Sequence, residues 1–499
     1  MSKLTAIATF GELKKSGYVP KSVKEELRAN LIQKLANKEP IFNQIHGYED
    51  TVIPSLQRAI LAKHNINFLG LRGQAKTKMA RLMVHLLDEY MPIIKGSEIN
   101  DNPFEPISFY GRQQLETLGD QMPIEWVHRN ERYTEKLATP DVSIADLIGD
   151  VDPIKAANLK LNYSDEQVLH FGLIARANRG IFVINELPDL QARIQVALFN
   201  ILQEGDIQIR GFKLRLPLDL QFVFTANPED YTNRGSIITP LKDRIQSQIM
   251  THYPKNIQLS KEITDQEVKL TAEQKEIVKV PSVLSDLLEQ IAFEARKSEY
   301  VDAKSGVSAR LTIAAYESMV SSAERRAIIN GEKHTMARVA DLMNVVPAII
   351  GKIEMVYEGE QEGAVNVAYS IIQAAIRTMI TNYFPELKDL KKNKSETVPL
   401  YQTVLNSFAN NVIDIETDYS DKVYKEELTQ IPGMQQLIDK KLPDLNAGEQ
   451  LLMMELLLHG FAEYSLLGRK RMDTKLRFND LFQSMLSSDD LDLEDDFQN

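Results

Sequence analysis

Hydrophobic positions follow two regimes along this chain, and the change falls near residue 255. Before it, short apolar runs alternate with helical patterns. The runs "NINFLG" (65–70), "EPISFY" (105–110), "IEWVH" (124–128), "GIFVINEL" (180–187) and "LQFVFTANP" (220–228) predict strands. Between them, "GYEDTVIPSLQRAILAKH" sets Val52, Ile53, Leu56, Ile60 and Leu61 on one helical face, and "DLQARIQVALFNILQEG" predicts another helix. Alternating strands and helices predict an α/β fold with a mostly parallel sheet covered on both faces. The stretch "DIQIRGFKLRLPLDL" alternates apolar and polar residues around Gly211, which predicts a β-hairpin over 206–219.

After residue 255 the pattern is almost wholly helical, with "VLSDLLEQIAFEARK", "SARLTIAAYESMVSSAERRAIIN", "LMNVVPAIIGKIEMVY" and "EQLLMMELLLHGFAEYSLL" as examples. Leu, Ile and Met stripes of this kind are explained by core packing. The expected organisation is an N-terminal helical segment (1–40), an α/β domain (41–255), a helical domain (256–350), an all-α C-terminal domain (351–485) and an acidic tail (486–499). The segment "LKDLKKNKSETVP" is the expected internal loop.

Composition narrows this picture. At 499 residues the chain has room for about three domains. Its 43% hydrophobic and 26% charged residues fit an ordinary globular protein. A net charge of −12 argues against nucleic-acid binding. The absence of cysteine excludes disulfides, thiol catalysis and cysteine-ligated zinc. Eight histidines with no cluster at ligand spacing predict no structural metal, and His459 is expected in the core or on the surface. The first residues lack an apolar signal-peptide run and no stretch is long enough to span a membrane, so the expected location is cytoplasmic.

The candidate chemistry begins at "GLRGQAKT" (70–77), where a strand, a glycine turn and a helix meet. Backbone N–H groups of such a turn converge on phosphate oxygens. Lys76 would add a point charge there, and Thr77 a hydroxyl for Mg²⁺. Gly70 and Gly73 keep side chains out of the cradle, and Ala75 lets it close provided that position needs no positive φ. At the end of "GIFVINEL", Glu186 would polarise an attacking water, while Asn185 would hold a metal-bound water without supplying charge. Asn227, ending the next strand, can hydrogen-bond both that water and the γ-phosphate region. Arg244 in "TPLKDRIQ" and Arg310 in "GVSARLTIA" are candidate phosphate-directed arginines.

Taken in this order, the motifs resemble those of AAA+ ATPases, in the clade of the MoxR-type ATPases and the magnesium chelatase small ATPase subunit. "GLRGQAKT" resembles the MoxR phosphate loop, in which alanine precedes the lysine. "GLIARANRGIFVINELPDL" (172–190) is similar to the Walker B region of the chelatase subunit, and "ILQEGDIQIRGFKLRLPLDLQFVFTANPED" to the hairpin and sensor 1 strand of both groups. The resemblance spans roughly residues 40–350. It implies a P-loop core with an insert near 141–175, a helical lid over 256–350, and ATP and Mg²⁺ as cofactors. The implied nucleotide contacts are Gly70, Arg72, Gly73, Gln74, Ala75, Lys76, Thr77, Lys78 and Arg310. Glu186 is implied as catalytic base, Asn227 as sensor 1 and Arg244 as a finger acting on a neighbouring subunit; Thr77 and Asn185 are implied at Mg²⁺. Asn185 replaces the family's aspartate, so Asn185→Asp is expected to raise hydrolysis.

Members of this clade form ring oligomers, usually hexamers, that remodel a partner, often one with a von Willebrand A domain. Four readings stay open: a remodelling motor, a nucleotide-gated scaffold with slow turnover, a transcriptional activator and a metal-chelatase subunit. The activators' Gly-Ala-Phe-Thr-Gly-Ala loop is absent from the sequence.

Overall fold

Residues 3–162, 165–209, 215–228, 236–390, 397–409, 411–472 and 475–481 are described by the computed structural model, in which the chain forms two compact units, Met1–Tyr253 and Pro254–Asn499. The first unit is built on five strands: β1 (Ile66–Leu69), β2 (Tyr133–Leu137), β3 (Gly180–Asn185), β6 (Leu220–Ala226) and β7 (Ser247–Met250). They lie side by side in the order β7-β1-β6-β3-β2 with every pairing parallel. Strands β4 (Asp206–Gln208) and β5 (Arg215–Pro217) pair antiparallel as the expected hairpin, whose tip (210–214) is outside the described residues.

The apolar run of β3 explains its central place. Ile181 and Val183 join one core cluster with Ile66, Phe68, Leu56 and Met79, whereas Phe182 and Ile184 join another with Phe222, Phe224, Ile194 and Leu198. Alternate residues thus enter cores on opposite faces, as a parallel sheet covered by helices requires. Helix α1 (Val23–Ala36) starts at Ser22, whose hydroxyl accepts from the Glu25 N–H at 3.3 Å while the Glu25 carboxylate accepts from the Ser22 N–H at 3.2 Å. Such a reciprocal cap contributes about 1 kcal/mol. Helices α2 (Val52–Leu61), α3 (Lys76–Leu82), α4 (Ala192–Glu204) and α5 (Thr239–Arg244) complete the frame around the sheet.

Two strand expectations change, and two strands of the main sheet were not foreseen. "EPISFY" is not a strand: Ser108 caps a helix that starts at Phe109, and the Asp101 carboxylate accepts from the N–H groups of Ile107 and Ser108. "IEWVH" is a strand, but it pairs antiparallel with Tyr90–Ile94 outside the main sheet. Both edge strands of the main sheet, β2 and β7, carry too few apolar residues to stand out in the sequence. The insert region includes the short helices Ile144–Leu147 and Pro153–Leu159 and an antiparallel pair, Gly149–Val151 with Leu169–Phe171.

The second unit is helical, with α6 (Ser282–Ala295), α7 (Arg310–Asn330), α8 (Val339–Met343), α9 (Ala364–Tyr383) and α10 (Ala447–Glu463) among its elements. It adds a small antiparallel sheet of β8 (Ile413–Glu416), β9 (Gly468–Arg471) and β10 (Lys475–Asn479), with β10 central. One hydrophobic cluster runs from Val278 to Phe478, so the packing shows no break at the expected boundary near residue 350. His459 is fully buried within it. The long helix expected over "LMNVVPAIIGKIEMVY" is interrupted, with Val346–Ile350 ending at Gly351. The expected acidic tail, 486–499, lies outside the described residues, as do 391–396 of the expected loop. Among the described residues, no helix is long and apolar enough to cross a membrane.

Candidate functional site

Strands β1, β3 and β6 all end at one edge of the sheet, and their parallel register brings the loops that follow them together. Ligands bind at this carboxyl edge in open α/β sheets. The loop after β1 is anchored by Gly70, whose N–H donates to the Ala226 carbonyl at 3.1 Å. A Cβ at Gly70 would lie 1.9 Å from the Thr251 Oγ1 and 2.3 Å from the Gln74 Oε1, so only glycine fits. Gln74 is buried: its Oε1 accepts from Thr251 at 2.6 Å, and its carbonyl accepts from the Tyr48 hydroxyl at 3.1 Å. Burial pushes the Tyr48 hydroxyl up to about 12, which keeps it a donor. Tyr253 donates to the Arg72 carbonyl at 2.9 Å.

Gly73 takes φ 75° and Ala75 φ 55°. The sequence reading required an ordinary φ at residue 75, and the structure corrects it. Ala75 is left-handed, at a cost of about 1–2 kcal/mol for a residue with a Cβ. The turn it makes launches α3, with the Met79 N–H donating to the Ala75 carbonyl at 2.9 Å.

Lys76 is 7% exposed and folds back into its own loop. Its Nζ donates to the carbonyls of Gly70 and Leu71 and, at 2.6 Å, to the Asn227 Oδ1. The Asn227 Nδ2 in turn donates to the Glu186 Oε2 at 2.7 Å. Lys76, Asn227 and Glu186 therefore form one hydrogen-bonded chain. Glu186 sits at φ 54°, another left-handed residue with a side chain, and its N–H donates to the Thr225 Oγ1 at 3.1 Å.

A second chain begins at the neighbouring residue. Asn185, 7% exposed, accepts at Oδ1 from the Thr77 hydroxyl at 3.2 Å and from the Thr225 hydroxyl at 3.1 Å. Its Nδ2 donates to the Glu135 Oε1 on β2 at 2.7 Å. The other Glu135 oxygen accepts from Arg81 Nε at 3.0 Å and Nη2 at 2.9 Å, and from the Tyr133 hydroxyl at 3.0 Å. The contact with Glu135 holds the Arg81 guanidinium above its ordinary range.

The structure thus gathers Gly70, Gly73, Gln74, Ala75, Lys76, Thr77, Asn185, Glu186 and Asn227. Arg72 and Lys78 belong to the same turn and first helical residues. Arg244 is held elsewhere in the unit: its guanidinium donates to the Gln203 Oε1 at 2.8 and 3.0 Å and to the Pro240 carbonyl at 2.8 Å, and lies 4.8 Å from the Phe199 ring. Arg310 opens α7 in the second unit and is exposed. Sequence reasoning missed Thr225, which holds both Asn185 and Glu186, and Glu135. A hydroxyl inside the otherwise apolar run of β6 was the available signal for Thr225. Nothing in "YTEKL" marked Glu135.

The donor set fits a magnesium nucleotide. Thr77 hydroxyl, Asn185 amide oxygen and Glu186 carboxylate are hard oxygen ligands suited to a cation that keeps most of its waters. The hydroxyl proton of Thr77 already goes to Asn185, which leaves the Thr77 lone pairs for a metal. Phosphate oxygens are stronger acceptors for the Lys76 ammonium than the carbonyls that now hold it.

A family model described as "Sigma-54 interaction domain" matches residues 160–249. The chain is 25% identical over 197 residues to the magnesium-chelatase 38 kDa subunit of Cereibacter sphaeroides, covering 39% of this chain and 53% of that one. The subunit of the same name from Rhodobacter capsulatus is 24% identical over 234 residues, covering 46% and 61%. The chain spans between half and two-thirds of the length of these curated relatives. Among solved structures, a cryo-EM-based complex between subunits BchI and BchD of magnesium chelatase is 19% identical over 64% of this chain and 98% of that one, with a TM-score of 0.33.

Proposed function

We propose that the first unit is an AAA+ module of the magnesium-chelatase and MoxR-type clade that binds and hydrolyses Mg-ATP to remodel or activate a partner protein. The observation that carries this reading is the meeting of Lys76, Thr77, Asn185, Glu186 and Asn227 at one sheet edge. Lys76 binds phosphate oxygens, and Thr77 with Asn185 holds the Mg²⁺ subsite. The cation, when bound, neutralises charge developing between the β- and γ-phosphates. Glu186 accepts a proton from the attacking water, and Asn227 fixes that carboxylate through its Nδ2. Gln74 and Gly70 keep the loop closed around these groups.

On this reading the module works in a homo-oligomeric ring, a hexamer in most of the clade. There Arg244 serves the site of the adjacent subunit. The partner is a protein, with a von Willebrand A domain as the leading class. A cytoplasmic location follows from the same reading.

One observation favours a second reading, a nucleotide-gated scaffold: the amide at position 185 brings no charge to the metal. The transcriptional-activator reading gains a family match over 160–249 but lacks its polymerase-contacting loop sequence. Steady-state ATPase measurement separates motor from scaffold. The motor predicts turnover that Glu186→Gln lowers by roughly 10²–10⁴-fold with nucleotide binding retained. Turnover at background in saturating Mg-ATP would sink it.

A further inference from the structure

The amide of Asn185 is symmetric in shape, and its two faces differ only in which atom donates. Turned one way, it offers an oxygen to Thr77 and the metal subsite; turned the other way, it offers hydrogens there. A carboxylate accepts only, so the Glu135 Oε1, 2.7 Å from Nδ2, settles the choice. Glu135 is itself fixed, by Arg81 from α3 and by the Tyr133 hydroxyl from its own strand. Its side chain is 23% exposed, so the pair is partly shielded from water.

We infer that Glu135 is a positioning residue for the Mg²⁺ subsite: it locks the Asn185 amide with Oδ1 turned toward Thr77. Asn185 and Glu135 together do what a single aspartate would do at position 185. The inference rests on the Mg-nucleotide reading above. It also reverses one expectation from the sequence. Asn185→Asp alone sets two carboxylates in the space of one hydrogen bond, and it disturbs the subsite instead of improving it. Exchanging the two residues, Asn185→Asp with Glu135→Gln, keeps the hydrogen bond with its polarity reversed and returns a negative oxygen to Thr77.

The test is a four-protein cycle: wild type, Asn185→Asp, Glu135→Gln and the double exchange. Each is titrated with a fluorescent ADP analogue at graded MgCl₂, and melting temperatures confirm folding. Both single variants are expected to need about ten-fold more Mg²⁺ for half-maximal tightening of nucleotide binding, in the range typical of groups that orient a metal ligand. The double exchange is expected to recover the wild-type requirement or better. Improvement by Asn185→Asp in both backgrounds, with no effect of Glu135→Gln, overturns the proposal while leaving the nucleotide site intact. No binding of the analogue by any of the four overturns the site reading as well.

Discussion

Both units bury charged groups, yet they use them differently. In the second unit, Arg326 on α7 pairs with Asp341 on α8 at 2.8 Å and with Asp421 at 3.1 Å, and Arg338 shares Asp421. Glu455 on α10 is fully buried and accepts from the N–H groups of Val339 and Ala340 and from the Tyr424 hydroxyl. These contacts join one helix to another. The first unit has such a pair in Arg132 with Glu26 at 2.7 Å, but its buried Lys76 instead reaches through Asn227 to a half-exposed carboxylate, Glu186, at the strand ends. Buried charge alone does not mark a site. Charge gathered where parallel strands stop, with donors that a ligand can take over, does.

Breaking these buried contacts of the second unit should therefore change stability and leave nucleotide binding alone. The largest effect is expected from Arg326→Ala, which strands Asp341 inside the core. Breaking a buried pair in this way costs about 3–5 kcal/mol, read as a lowered unfolding midpoint with unchanged ADP affinity. Weakened ADP affinity there would blur the distinction between the units.

Next comes pH. Burial raises the Glu455 carboxyl from its usual 4.5 to about 7. A raised folded-state value means that the folded unit holds the proton more tightly than the unfolded chain. Its stabilising contribution is complete below 4.5 and is lost as pH rises through 7. Hydrogen exchange in 447–463 should therefore speed up between pH 5 and 8, after correction for the intrinsic rate, by an amount worth a few kcal/mol. Glu455→Gln should flatten that profile, and an unchanged slope would rule the carboxyl out as its source.

The smallest effect belongs to the first unit. Ala75→Gly relieves the left-handed strain at φ 55° but adds freedom to the unfolded chain, for a net gain of roughly 0.5 kcal/mol. A drop in melting temperature would show that the alanine methyl makes a contact worth more than the strain.

The contrast also explains what could be read from the sequence. Residues on continuous apolar strands were legible: Ile181–Ile184 predicts a buried strand, so Asn185 and Glu186 fall at its end. The loop from Gly70 to Thr77 was legible for the same reason, since β1 precedes it and α3 follows. Strand β2 was not. At the sheet edge its side chains are mostly half-buried, so "YTEKL" carries no apolar run and nothing singled out Glu135. The left-handed backbone of Ala75 was not legible because a methyl group usually excludes φ > 0, and here the loop's other bonds outweigh that preference. The single core of the second unit was hidden because helical periodicity shows which face is buried but not against which helix.

The most direct measurement is isothermal titration of ATP, with Mg²⁺, into wild type and Lys76→Ala. The account predicts one nucleotide per chain for wild type, and affinity reduced by about 10²-fold or more when the buried ammonium is removed. Equal affinity in the two proteins, or no heat from wild type, would contradict it.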